Sequence, residues 1–356
     1  MEDILNKLNN AFLALNIDAK AVSFIKGSSF IKVSVIPPIM KTFDLCHKQQ
    51  QLAMQLKVGA IPVIRPDYND GTISIEIPND KREFFNIKDI FNSQDWKNNL
   101  DKNCPIILGK TVDNKIIIVD LYDLPHLLIA GTTGSGKSIV LKAIIESILA
   151  HQNFCDSMNN QMSHSLIIID PKSVEFVQYK NTYGVDTYCD GIQESILTLR
   201  KLVQTMNDRF SVIFPKASSV FKEQIHSYLQ YKNVYKKNGL WLSRAPDITV
   251  IIDELADIIL TDKSIEQPLC LLAQKGRAAG INLVVATQRP SADILTGLIR
   301  SNLPAKICLK VGSKLDGRIV FGSNSFGAEQ LTGKGDMLFL SSDKPVPIRL
   351  QAPYVD

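Results

Sequence analysis

The residues with the clearest capacity for chemistry lie in a glycine-rich turn, Gly-Thr-Thr-Gly-Ser-Gly-Lys-Ser, which runs from Gly131 to Ser138. Its G-x-x-x-x-G-K-S spacing lets the backbone curl so that several N–H groups face one anion, and a following helix adds its positive dipole end. Lys137 is expected to neutralise the β- and γ-phosphates of a nucleotide, and the Ser138 hydroxyl to hold Mg²⁺. The alternative is a loop that binds no ligand.

The flanking sequence favours the phosphate cradle. The apolar run at 126–130 predicts a buried strand, and the pattern at 139–149 predicts a helix, which is the context that this motif requires. ATP with Mg²⁺ is therefore the expected ligand. The predicted nucleotide-binding residues are Gly131, Thr132, Thr133, Gly134, Ser135, Gly136, Lys137, Ser138 and Ile139.

Two acids, Asp253 and Glu254, follow the apolar run at 248–252. Asp253 is expected to bind the water shell of Mg²⁺, and Glu254 to orient or deprotonate the attacking water, which argues for turnover. The alternative is a pair of acids that only cap a strand. Gln288 ends a strand predicted to neighbour this one, where its amide could contact the γ-phosphate.

Cations cluster in the last third of the chain. Lys275 and Arg277 lie near the end of a predicted helix that stops at Gly280, and their spacing alone leaves open a merely solvated helix end. A denser group downstream suits contact with a phosphate backbone, which needs positive charge but no base-reading geometry. That group comprises Arg289, Arg300, Lys306, Lys310, Lys314 and Arg318.

Composition fits a soluble globular protein. The 356 residues are 45% hydrophobic and 21% charged, and the net charge of +4 permits binding to nucleic acid without requiring it. Six scattered cysteines lack a C-x-x-C pair, so reduced buried thiols in a cytoplasmic protein are expected and a structural zinc is not. No apolar run has the length of a membrane span, and the N-terminus does not resemble a signal peptide.

Two domains are predicted. A helix at 3–16, strands at 21–25 and 30–35, a polar helix at about 40–56 and strands at 61–64 and 72–77 indicate a small α+β module over residues 1–92. Turns are expected at 27–29 and 69–71, and Pro37-Pro38 is expected to end the second strand. Nothing in this module has catalytic spacing, so a positioning or assembly role is expected.

Residues 93–356 predict an α/β domain. A hairpin-like pair at 105–109 and 115–120 leads into the glycine-rich turn, after which strands and helices alternate, which implies a mainly parallel sheet covered on both faces. Further strands are predicted at 166–169, 248–252, 283–286 and 305–309. Residues 192–245 predict helices whose aromatic residues serve in packing. Those residues are Tyr228, Tyr231, Tyr235 and Trp241.

Several segments together resemble the motor of the FtsK/SpoIIIE DNA translocases. They are the turn with its preceding strand from Pro125, the Ile169-Asp170-Pro171-Lys172 segment, the 250–257 run, the 272–300 run, and the segments at 327–331 and 335–338. The 272–300 run, with Ala-Gln-Lys-Gly-Arg-Ala-Ala-Gly at 273–280 and Ala-Thr-Gln-Arg-Pro-Ser at 286–291, is the most specific. Weaker similarity reaches Glu76-Ile77-Pro78-Asn79. The resemblance implies a RecA-like P-loop ATPase.

The resemblance also implies a hexameric ring that threads double-stranded DNA, with ATP bound between subunits. Arg277 would then be offered in trans to the neighbour's ATP, and the channel cations would fall on Arg289, Arg300, Lys314 and Arg318. Compared with the family, the chain is expected to lack a membrane-spanning N-terminus and a winged-helix module after the motor. Its 318–327 segment is longer than usual and lacks the family's Leu-Asp, so the DNA contacts there could differ.

Two other functions stay open from the residues. A conjugative coupling or secretion ATPase would share the motor but move single-stranded DNA or protein. A nucleotide-binding DNA clamp or assembly factor would bind ATP without turnover. A P-loop kinase is not favoured, because no acceptor site or lid is visible in the sequence.

Overall fold

The computed structural model describes residues 3–27, 29–36, 45, 47–58, 61–67, 71–79, 83–157, 164–240, 245–322 and 324–355. The first of its two sheets belongs to the N-terminal module, which contains α1 (Asp3–Ala14), β1 (Lys20–Lys26), β2 (Phe30–Ile36), α2 (Gln49–Leu56), β3 (Val63–Asp67) and β4 (Thr72–Pro78). The strands are antiparallel in the order β1-β2-β4-β3, and α1 and α2 pack on them.

The predicted α+β module is confirmed. Leu8 and Phe12 of α1 are fully buried against Val33 and Ile75 of the sheet, as their helical and alternating spacing requires. The predicted helix at 40–56 is observed over Gln49–Leu56. Residues 40–44 and 46 of that predicted helix, Pro37-Pro38 and the turn residues Ser28, Asn69 and Asp70 lie outside the described residues.

Two short helices join the module to the second sheet. They are α3 (Ile87–Phe91), capped by the Asn86 side chain, and α4 (Gln94–Lys97), capped by Ser93. Ile87, Ile90 and Trp96 are buried with residues of the second sheet and its helix, including Ile107. The chain therefore packs on the second sheet from before residue 92, and the division at that position stays a prediction.

The second sheet contains ten strands within the described ranges, in the order β6-β5-β14-β13-β12-β7-β11-β10-β8-β9. The strands are β5 (Pro105–Thr111), β6 (Ile116–Asp120), β7 (His126–Ala130), β8 (His164–Ile169), β9 (Val185–Cys189), β10 (Asp247–Ile252), β11 (Ile281–Thr287), β12 (Ala305–Leu309), β13 (Asp336–Leu340) and β14 (Ile348–Gln351). The six strands from β12 to β9 are parallel, and β5, β6, β13 and β14 add antiparallel pairings at one side. The predicted mainly parallel sheet is confirmed.

Helices cover both faces of this sheet, also as predicted. The long helix α5 (Lys137–Ser157) buries Val140, Ile144 and Ile148 on one face. The other face carries α6 (Ile192–Asp208), α7 (Phe214–Phe221), α8 (Tyr228–Lys237), α9 (Leu255–Thr261), α10 (Glu266–Ala279), α11 (Gly297–Asn302) and α12 (Lys314–Phe321), with α7 and α8 forming their own aromatic cluster.

The helical region predicted at 192–245 is confirmed for most of the described residues between 192 and 237, with a π-helical turn at Arg209–Ile213 between α6 and α7. Tyr228, Tyr231 and Tyr235 pack against one another, with ring centroids 6.0 and 4.4 Å apart, so their predicted role in helix packing is confirmed. Trp241 lies outside the described residues.

The cysteine prediction is confirmed for the residues that can be checked, because Cys104, Cys155, Cys189, Cys270 and Cys308 are free and buried. Cys46 is not among the described residues. Within the described ranges no cluster of His, Cys, Asp and Glu could hold a metal ion by itself. No described helix combines the length and apolar character of a membrane span.

Candidate nucleotide site

Three parallel strands bring the predicted chemical groups to one edge of the sheet. β11 lies between β7 and β10, with Thr287 opposite Ala130 and Val285 opposite Ile252. The carboxyl ends of these strands are therefore almost level, and the residues after them meet at the edge where ligands bind in such sheets. Gln288 follows a strand that neighbours that of Asp253, as predicted.

The glycine-rich turn adopts a conformation that only glycine accepts easily. Gly134 and Gly136 have φ angles of +76° and +103°, and α5 begins at Lys137. A Cβ atom added to Gly136 would lie 2.3 Å from the backbone nitrogen of Gly335. The Gly335 N–H also donates to the Ser135 carbonyl at 2.8 Å. The turn is thus braced from outside by the loop before β13, which the sequence did not predict.

Lys137 and Asp253 form a buried ion pair across this edge. The ammonium of Lys137 lies 2.6 Å from both the carbonyl and the Oδ1 atom of Asp253, and the lysine is only 3% exposed. Burial raises the pKa of Asp253, and the charge of Lys137 opposes that rise. The structure therefore brings together two predicted site residues that are 116 positions apart in the chain, and a phosphate would compete with Asp253 for Lys137.

Glu254 is held by the end of the neighbouring strand. Its carboxylate accepts a 2.6 Å hydrogen bond from the Thr287 hydroxyl and one of 2.8 Å from the Gln288 N–H. It also caps α9 by accepting from the Ala256 N–H. Gln288 in turn accepts from the Thr133 hydroxyl at 2.7 Å. The proposed water-activating acid, the predicted γ-phosphate contact and the glycine-rich turn are thus linked by direct hydrogen bonds.

A cavity of about 740 Å³ opens at this edge. All residues of the glycine-rich turn except Gly131 and Ser135 line it, together with Ile139 and Gln288. Ser138 and Asp253 offer the hydroxyl and carboxylate oxygens that Mg²⁺ prefers, so they fit the predicted metal-binding role. Asp253 and Glu254 lie behind the cavity wall, each 4% exposed.

The remaining wall of the cavity comes from residues that the sequence analysis missed. They belong to the connection between the modules, the loop after β8, the loop before β13 and the C-terminal segment. These residues are Phe84, Glu175, Lys334, Ala352, Pro353 and Tyr354. They share no motif, and only folding brings them together.

Arg277 lies at the opposite edge of the sheet. It is exposed in the last turn of α10. Gly280, which follows α10, accepts a hydrogen bond from the Ile248 N–H at the start of β10, and this contact places the end of α10 beside the amino ends of the strands. Burial lowers the pKa of His126, the first residue of β7, to about 4, and the charge of Arg277 acts in the same direction. A strand as long as β11 spans about 20 Å, so Arg277 cannot reach the glycine-rich turn of its own chain.

The four predicted DNA-binding cations differ in their surroundings. Arg289, two residues after the end of β11, is 57% exposed in its side chain and pairs loosely with Asp293 at 3.3 Å. Lys314 and Arg318 lie exposed on α12. Arg300 is only partly exposed, and its guanidinium donates to the Ile319 carbonyl at 3.1 Å. Arg300 is therefore engaged in holding α12, whereas the other three present charge to solvent.

The sequence matches the FtsK/SpoIIIE family model over residues 86–292. It is 36% identical over 351 residues to the DNA translocase FtsK of Borreliella burgdorferi, which covers 98% of this chain and 42% of the relative. It is 34% identical over 357 residues to the DNA translocase FtsK of Helicobacter pylori J99, with 99% and 40% covered. The chain thus spans about two fifths of the length of these relatives.

Solved structures agree in fold. The pCW3 conjugation coupling protein TcpA, a monomer form with ATPgS, has a TM-score of 0.63 and 24% identity, with 99% of this chain and 95% of that chain covered. The cytoplasmic domain of the Thermomonospora curvata Type VII Secretion ATPase EccC has a TM-score of 0.57 and 18% identity over 71% of this chain and 29% of that chain. The predicted P-loop ATPase fold is confirmed, and the chain belongs to the FtsK/SpoIIIE family.

Proposed function

We propose that this member of the FtsK/SpoIIIE family is an ATP-driven translocase of double-stranded DNA that works as a ring of six subunits. The observation that carries the proposal is the placement of the catalytic groups at two opposite edges of one sheet. Lys137, Asp253 and Glu254 meet at one edge, and Arg277 is presented at the other. Repeating copies head to tail would complete each site.

At the first edge, residues of the chain itself bind the phosphates of ATP and orient the attacking water. Lys137 exchanges Asp253 for the phosphates of ATP, and the N–H groups of the turn hold the same anion. Mg²⁺, held by Ser138 and Asp253, would neutralise charge on the β- and γ-phosphates. Glu254, once released from the Thr287 hydroxyl, accepts a proton from the attacking water, whose oxygen bonds to the γ-phosphorus as the bond to the departing ADP breaks. The Gln288 amide leaves the Thr133 hydroxyl and contacts the γ-phosphate.

Arg277 acts on the ATP of the adjacent subunit. Its guanidinium stabilises the charge that develops on the transferred phosphoryl group, which contributes about 10³- to 10⁵-fold in rate where such arginines have been studied. An exposed position about 20 Å from the turn of its own chain supports a role in trans over a role in cis.

DNA is the proposed polymer. The relatives that match 98–99% of this chain at 34–36% identity are named DNA translocases. Arg289 follows directly after Gln288 in the chain. When Gln288 gains or loses its contact with the γ-phosphate, Arg289 therefore moves with it, and Arg289 can bind a DNA phosphate. Lys314 and Arg318 supply further charge near the same edge. Arg300 is retained as a fourth contact that would first have to leave Ile319.

The test is steady-state ATP hydrolysis with linear duplex, with single strand and without polymer, coupled to displacement of a triplex-forming strand. The proposal predicts stimulation by duplex and displacement that requires ATP. Stimulation by single strand or by protein alone would instead support a coupling or secretion ATPase. Absence of duplex stimulation and of displacement from an assembled ring would overturn the proposal.

A companion variant separates the motor from a clamp. Glu254→Gln is expected to abolish turnover while ATP binding is retained, because the amide cannot accept the proton. ATP-dependent DNA binding that is unchanged in Glu254→Gln, with no displacement by either the parent or the variant, would support a DNA clamp that does not need hydrolysis.

A further inference from the structure

Two large aromatic side chains form part of the cavity that contains the glycine-rich turn. Phe84 is 56% exposed and Tyr354 is 51% exposed, and both line the same cavity as Lys137 and Ile139. Aromatic rings on an open surface of this kind, next to a phosphate cradle, have a π-face available for a flat ligand.

Backbone hydrogen bonds hold both rings in place. The Tyr354 N–H donates to the Phe85 carbonyl at 2.8 Å, and the Ile87 N–H donates to the Tyr354 carbonyl at 3.0 Å. The buried side chains of Phe85, Ile87 and Val355 lie in one cluster. The two rings thus belong to a single rigid wall rather than to separate loops.

This wall is fixed to the glycine-rich turn by a short series of contacts. The Ala352 N–H donates to the Gly335 carbonyl at 2.9 Å, and the Gly335 N–H donates to the Ser135 carbonyl at 2.8 Å. The Gln351 side chain adds a 2.8 Å hydrogen bond to the Lys334 carbonyl. The distance between the aromatic wall and the phosphate-binding N–H groups is therefore set by the fold.

We propose that Phe84 and Tyr354 form the stacking surface for the nucleobase of the nucleotide. Pro353, which lines the same cavity, completes this surface. The inference rests on the proposed function, since it names what holds the base in that site. Because stacking uses the π-face, the surface selects a heterocyclic base, and purines with their larger rings bind more tightly than pyrimidines.

The experiment measures equilibrium binding of two ligands, ATP and inorganic tripolyphosphate, which has the phosphates but no base. Phe84→Ala and Tyr354→Ala are each expected to weaken ATP binding by about tenfold, as loss of one stacking ring does, and to leave tripolyphosphate binding unchanged. Tyr354→Phe keeps the ring and is expected to bind ATP like the parent. Tyr183→Ala removes a 76% exposed tyrosine from a separate groove and serves as the matched control.

Equal weakening of both ligands in Phe84→Ala and Tyr354→Ala would overturn the inference, because the rings would then act only through the shape of the turn. Unchanged ATP binding in both would overturn it as well. Thermal melting of each variant without ligand checks that the fold is intact.

Lys137→Ala distinguishes this inference from the proposed function. It is expected to lose both ligands, because the lysine contacts phosphate only. If Lys137→Ala binds both ligands like the parent, the proposed function fails. If Lys137→Ala no longer binds ATP or tripolyphosphate, and Phe84→Ala and Tyr354→Ala bind both ligands like the parent, only the base-stacking inference fails.

Discussion

Replacement of Arg349 tests how the N-terminal module is joined to the nucleotide-binding sheet. The Arg349 guanidinium lies 2.6 Å from Glu76 of β4, and it donates to Asp336 of β13 at 2.8 and 2.7 Å. It also stacks on the Phe30 ring at 3.7 Å. Its side chain is 2% exposed, and Asp336 is completely buried. One buried cation therefore pairs with an acid from each unit.

Arg349→Met leaves two buried carboxylates without their cation. Breaking one side of a buried pair costs about 3–5 kcal/mol, so we expect the free energy of unfolding to fall by that amount. Glu76→Gln leaves Arg349 paired with Asp336, and it should cost about 1.5–3 kcal/mol, the value of one charged hydrogen bond. Urea unfolding at neutral pH, followed by circular dichroism, measures both.

The loss of stability in Arg349→Met should also depend on pH. Burial would raise the pKa of Asp336, but the charge and hydrogen bonds of Arg349, together with two hydrogen bonds from Thr332, outweigh that effect and lower the pKa below its usual value. A lowered folded pKa means that this stabilisation is present above the unfolded pKa and is lost as the pH falls through the folded pKa. The difference between parent and Arg349→Met should therefore shrink in acid. A loss below about 1 kcal/mol at neutral pH, or a difference that grows in acid, would refute the reasoning.

Three further predictions concern the site and its supports. Gly136→Ala should lower the free energy of unfolding of the nucleotide-free protein, measured in urea, by well over the roughly 1 kcal/mol expected for Gly134→Ala. The reason is that a Cβ atom at position 136 would lie 2.3 Å from the Gly335 backbone, whereas one at position 134 meets no atom within 4 Å. Equal effects of the two substitutions would contradict this. Glu254→Gln should lower the rate of ATP hydrolysis by at least about 10²-fold with unchanged ATP affinity, measured by single turnover and equilibrium binding, and a rate near that of the parent would exclude Glu254 as the base. Arg209→Met should cost about 1.5–3 kcal/mol in thermal or urea unfolding, because its buried guanidinium donates to the Ala279 and Pro246 carbonyls, and Arg209→Lys should recover part of the loss.

The sequence predicted the nucleotide edge because its signals are local. The turn from Gly131 to Ser138 requires glycine where φ is positive, and eight consecutive residues are enough to recognise this pattern. The two acids after β10 and the amide after β11 were placed correctly at strand ends, because each follows a short apolar run rich in β-branched residues, which favours a buried strand. Parallel pairing then brings such strand ends together without any further signal.

The elements that were missed lack such local signals. β9 reads Val-Asp-Thr-Tyr-Cys, a polar edge strand, and its pattern is too mixed to predict a strand. β13 and β14 have five and four residues and form only through long-range antiparallel pairing. The brace at Gly335 and the aromatic wall at Tyr354 depend on the positions of those strands, so the residues that complete the cavity could not be found from spacing.

The most direct test of the account mixes two inactive variants. Lys137→Ala cannot bind ATP but still offers Arg277, whereas Arg277→Ala binds ATP but offers no arginine. If sites form between neighbouring copies, an equal mixture of the two should recover duplex-stimulated ATP hydrolysis to about a quarter of the parent rate, since one interface in four combines an intact turn with an intact arginine. Hydrolysis in the mixture that stays at the level of the separate variants would contradict a site shared between two subunits.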